Sequence, residues 1–89
     1  MNSYPRESQE LVAFNAVTVN GTPTQSFTYQ LQRKGERPTA TWSTPVTVGA
    51  GLGFMLQPVT VRGTYAVWVK VTANGQNIVI EAAQEVERT

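Results

Sequence analysis

The feature that most constrains this chain is a run of strict alternation between Gly63 and Ala83. Tyr65, Val67, Val69 and Val71 fall on one side of an extended backbone, and Ala66, Trp68, Lys70 and Thr72 fall on the other. A helix would scatter those apolar groups around its circumference, so period two over eight residues reads as a half-buried strand. Asn74-Gly75 follows, a dipeptide that accepts the positive φ angles of a tight hairpin. Ile78 and Ile80 then share one side and Val79 the other, giving a second, antiparallel strand. The rest of the chain has to supply the layer that buries the Tyr65–Val71 face.

Residues 26–33 repeat the pattern, with Phe27, Tyr29 and Leu31 inward and Thr28, Gln30 and Gln32 outward, as in an antiparallel sheet with one wet face. Residues 11–19 read as the first strand, ended by Asn20-Gly21, and Pro23 places the following extended stretch at an edge. Residues 39–42 read as a further strand, residues 46–48 as a short one, and residues 52–56 as an apolar run closed by Gln57-Pro58. Residues 59–61 either extend that run or lie in the connection. No segment places apolar residues at i, i+3, i+4 and i+7, and turn signals recur at roughly 8–12 residue intervals. The expectation is an all-β chain, a small immunoglobulin-like antiparallel β-sandwich of about seven strands. Tyr65 is placed like the tyrosine of a tyrosine corner and Trp42 like a core tryptophan, though both positions also suit ordinary core aromatics. A small barrel of the OB or SH3-like kind is the alternative.

Chemistry is hard to find in these residues. The chain has no Cys, no His and no Asp, and its six acids are Glu7, Glu10, Glu36, Glu81, Glu85 and Glu87. Its many Ser and Thr hydroxyls therefore lack an imidazole to activate them, and zinc lacks its usual ligands. Calcium modules rely on clustered Asp and Glu, and Gly49-Ala50-Gly51-Leu52-Gly53 has the glycines of a phosphate loop but neither its Lys nor its helix. The expectation is no enzyme, no cofactor and no metal. A net charge of +1 gives no electrostatic case for nucleic acid or an anionic membrane, and the basic turn Arg33-Lys34-Gly35-Glu36-Arg37-Pro38 reads as a solvated loop. No run approaches the ~20 apolar residues of a membrane span. The first eight residues lack a signal-peptide core, so synthesis in a host cytoplasm is expected.

Binding is better represented. Residues 1–8 read as an extended N-terminal arm preceding a domain of residues 9–89, and Tyr4 and Arg6 are residue types that make good contacts. Trp68 alternates away from the Val67/Val69 face, so it either packs under a neighbouring loop or the arm, or serves as an interface hot spot. The last strand, apolar on both faces, is either covered by a second layer or docked on another chain.

Three strings carry a resemblance across most of the chain. They are Tyr4-Pro5-Arg6-Glu7-Ser8, then Gly35-Glu36-Arg37-Pro38-Thr39 with Trp42 shortly after, then Gly63-Thr64-Tyr65-Ala66-Val67-Trp68-Val69-Lys70-Val71. Together they resemble small immunoglobulin-like proteins encoded among the virion structural genes of tailed phages of actinobacteria. The resemblance implies a non-enzymatic virion component on the capsid surface, at the head–tail region or on the tail. Its partners would be other virion proteins, with a homo-oligomer possible in the assembly, and it would bind neither nucleic acid nor membrane. The Asn74-Gly75 hairpin is tighter than the longer charged loop of such proteins. On this expectation Tyr4, Arg6, Arg62 and Trp68 carry the contacts, while Tyr65, Val67, Val69, Phe27, Tyr29 and Trp42 build the core. Readings from other classes are a carbohydrate-binding module that stacks sugars on Trp68 and Tyr4, and a phage minor tail accessory domain.

Overall fold

A computed structural model describes residues 2–14, 18–19, 22–23, 26–73 and 75–89. Among them the chain is all-β: β1 Asn2–Tyr4, β2 Leu11–Ala13, β3 Thr18–Val19, β4 Thr22–Pro23, β5 Thr28–Arg33, β6 Val46–Val48, β7 Gly51–Met55, β8 Gly63–Ala73 and β9 Gln76–Arg88. A four-stranded sheet has the order β1-β9-β8-β5, a three-stranded sheet the order β2-β7-β6, and β3 pairs with β4 alone. The Asn20-Gly21 turn, residues 15–17 of the expected first strand, and Asn74 lie outside the described residues.

The β8–β9 hairpin is the spine of the larger sheet, closed at Ala73 opposite Gln76 with Gly75 at φ +73°. Glycine takes that left-handed angle without the Cβ clash that penalises other residues. Between Ala66 and Trp68 the partner moves from Glu85 to Glu81, four residues of β9 against two of β8. The excess is even, so Ile80 and Val86 stay on one face despite the bulge. Within the bulge Gln84 donates to the Ala13 carbonyl at 2.9 Å, tying β9 to the smaller sheet.

The two sheets meet through the side chains that alternation turned inward. Val67, Val69 and Val86 pack against Val12, Phe54 and Leu56, with Phe27, Tyr29, Leu31, Tyr65 and Ile80 around them. Burying each of the larger groups stabilises the fold by about 1.5–3 kcal/mol. Phe14 bridges the layers, its ring 5.0 Å from Phe27, 5.4 Å from Tyr29 and 4.8 Å from Phe54, mostly edge to face. The inward set expected for residues 26–33 is the set observed.

Three expectations change. Residues 39–42 are not a strand: the Gln30 carboxamide donates to the Thr39 carbonyl at 2.9 Å and accepts the Thr39 N–H at 2.8 Å, occupying both groups that a ladder would need. The chain rejoins the sheet only at Ser43, which exchanges two 2.9 Å backbone bonds with Tyr29. The N-terminal arm is extended as expected, but it belongs to the sheet, with Asn2, Ser3 and Tyr4 parallel to Val86, Glu87 and Arg88. Residues 85–89 read in the sequence as a polar C-terminus, with Val86 as the furthest end of the last strand; β9 instead continues to Arg88. Residues 59–61 lie in the connection between β7 and β8.

Candidate docking surfaces

Three surfaces follow from this architecture. The first is the outer face of the larger sheet, where Trp68 stands between Gln30 and Glu81 in register. Of the two readings of Trp68, an interface contact or a residue packed under a neighbouring loop, the structure has the second and corrects the first: it is 9% exposed. Residues 34–42 leave β5 at a tight turn and cross this face instead of joining the sheet. Lys34 pairs with Glu85, Thr39 is held by Gln30, and the Arg37 guanidinium carbon lies 5.4 Å from the Trp68 ring centroid. The hydrogen bond to Glu85 and its negative charge raise the Lys34 pKa, with a smaller contribution from Glu81. The cover leaves the Trp68 indole N–H buried without an acceptor. Trp42 is corrected too. It is half-buried outside the core cluster, on this outer face, with Lys70 Nζ 5.1 Å from its ring centroid.

The second surface is the end of the molecule where the chain termini run. The structure brings Tyr4 and Arg6 here together with Arg62, which immediately precedes Gly63, the residue opposite Arg88. Trp68 lies five residues further along β8, about 17 Å away at ~3.4 Å per residue. Tyr4 is half-buried against the core. Arg6 acts through its backbone, its N–H donating to Thr89 and its carbonyl accepting from Val59, each at 2.9 Å. Arg62 is exposed.

The organiser of this end is Arg88, a residue that sequence reasoning passed over. It is 3% exposed. Its guanidinium donates through Nη1 to the Gln57 carbonyl at 3.1 Å, and through Nη2 to the carbonyls of Pro5, Arg6 and Ser8 at 3.0–3.1 Å. These bonds fasten the first residues to the β7–β8 connection. The signal for it was parity, because Arg88 lies two positions beyond Val86 on the inward face of a continuing strand.

The third surface is the outer face of the smaller sheet, also missed. Leu11 stands opposite Met55, Ala13 opposite Gly53, and Gly53 in turn opposite Val46, while Val48 stands opposite Gly51. Val12 and Phe54, the alternates, are in the core. The outward set is therefore entirely apolar, and Leu11, Val46 and Met55 are 48%, 43% and 38% exposed. At one end it meets a polar rim, where Gln9 Nε2 donates to Gln57 Oε1 at 3.1 Å. Gly53 is needed for this arrangement. A Cβ there would lie 2.5 Å from Val48 Cγ2 and 2.6 Å from the Val12 carbonyl oxygen. Exposed apolar faces with polar rims are characteristic of protein contact sites. No protein-family model, curated protein or solved structure matches this chain.

Proposed function

We propose that this chain is a non-enzymatic structural protein of a tailed-phage virion, a capsid decoration, minor capsid or head–tail-associated component that attaches by protein–protein contact. The observation that carries the reading is the apolar outer face of the β2-β7-β6 sheet. Three strands at ~4.8 Å spacing and about five residues at ~3.4 Å give a face of roughly 14 × 17 Å, about 240 Å². A stable interface takes about 800 Å² from each partner. A single copy on this face therefore binds weakly, which fits attachment of many copies to a symmetric protein lattice. The proposed contacts are Leu11, Met55 and Val46, with Tyr4, Arg6 and Arg62 at the neighbouring end; Trp68 is withdrawn.

The strand order supports the finer reading of the fold. Sheets ordered β2-β7-β6 and β9-β8-β5 correspond to the BED and GFC sets of an immunoglobulin-like sandwich. The Tyr65 hydroxyl donates to the Val61 carbonyl at 2.8 Å, the bond that defines a tyrosine corner. The departure is β1, which pairs with the last strand and not with β2. On this reading residues 9–89 form the sandwich and residues 1–8 its first edge. The partners are other virion proteins, and the place is the virion. Sugar stacking is the weaker reading, because Trp68 is covered and Trp42 carries Lys70 over its ring.

The test is a double substitution, Leu11→Lys with Met55→Lys, on the exposed face. It should leave melting within a few degrees and abolish incorporation into particles. Incorporation at the wild-type level would remove this face from the interface.

A further inference from the structure

We propose that the open edge of β5 and the cleft behind it form a second binding site, for an extended peptide segment that carries a carboxylate side chain. The site shares Met55 with the apolar face of the smaller sheet, but neither the β5 edge nor Arg88 belongs to that face, so the proposal stands whether or not that face docks on a virion.

The backbone argument comes first. β5 pairs with β8 along one side, and on its other side Tyr29 uses both its backbone groups on Ser43. Antiparallel alternation turns the N–H and C=O of Leu31, two residues on, to that same open side. No described residue bonds to either group. The next carbonyl on this side, that of Arg33, already accepts the Glu36 N–H at 2.9 Å. A free donor and acceptor on one edge residue are a template for an added strand.

Behind that edge lies a cleft of about 320 Å³, bounded by Tyr29, Leu31, Leu56, Val59, Tyr65 and Arg88 among others. Burial here raises the Tyr29 pKa, so its phenol stays neutral. Among the described residues of the lining, Arg88 alone is charged. Its positive charge has no carboxylate within ion-pairing distance, since the ion pair among the described residues is Lys34 with Glu85, and its Nε–H is buried without an acceptor. A buried cation without a counter-ion is costly, and its field acts strongly across a low-dielectric wall. Charge complementarity therefore selects an acidic side chain, and the edge selects an extended backbone to present it.

The probe is the blocked peptide acetyl-Thr-Val-Glu-Val-Thr-amide, titrated into the intact protein with amide exchange followed by NMR. Saturating peptide should slow exchange of the Leu31 amide about tenfold, with little change at Leu11 and Val46, which lie on the apolar face and outside the cleft. Replacing the peptide Glu by Gln should weaken binding about fivefold or more. N-methylation of the amide facing Leu31 should weaken it about fivefold. Three results would overturn the proposal: no change at Leu31 at millimolar peptide, equal affinity for all three peptides, or Leu31 protection that rises with protein concentration alone. The last would identify a second copy of this chain as the occupant.

Discussion

Replacing Trp68 by Ala separates a covered indole from an exposed contact. The side chain is 9% exposed, with Gln30 and Glu81 beside it and Arg37 above it. A buried Trp removes about 200 Å² from water, worth about 5 kcal/mol at ~25 cal/mol/Å² as an upper bound. Residues 34–42 are a loop and can settle partly into the space, so the expected loss is about 3 kcal/mol. For a domain of this size that lowers Tm by at least about 12 °C. Urea unfolding followed by circular dichroism, with an unchanged m value, is the assay. Arg37→Ala, which only uncovers one face of the ring, should cost about 0.5–1 kcal/mol. A loss below about 1 kcal/mol for Trp68→Ala would mean that the indole is not sealed, and the account of the 34–42 crossing would fall with it.

Two further substitutions probe the sheets. Gly53→Ala drives a Cβ to 2.6 Å from the Val12 carbonyl oxygen, a backbone atom that cannot turn away, and should cost about 3 kcal/mol in thermal or denaturant unfolding. A neutral result would show that β2 and β7 are not held as described. Tyr65→Phe removes the bond to Val61 and leaves an exposed carbonyl that water can satisfy, so a loss of about 1 kcal/mol is expected in the same assay. A loss above about 2 kcal/mol would mean that this hydroxyl holds more than the turn before β8.

The parts of the fold legible in the sequence were those written in local alternation. The β8 and β5 patterns told inside from outside correctly, because each strand pairs at full length and has one face on the core. Alternation says which side chains point away from the core, but not whether something lies over them. Trp68 points away and is still buried, because Gln30 captures Thr39 nine residues later and draws the intervening chain across the sheet. That pairing has no local signature. Leu11-Val12-Ala13 is apolar on both faces, so the pattern alone could not decide which face is core; the registers with β7 decide it. Arg88 was hidden by composition, since a charged residue in the penultimate position reads as solvated until the strand is known to continue.

The most direct measurement of the central claim is quantitative mass spectrometry of purified particles of a tailed phage that carries this gene. The account predicts the chain in fixed ratio to a major structural subunit, lost from particles when Leu11 and Met55 are replaced by Lys. Particles that contain none of it would contradict the virion reading outright.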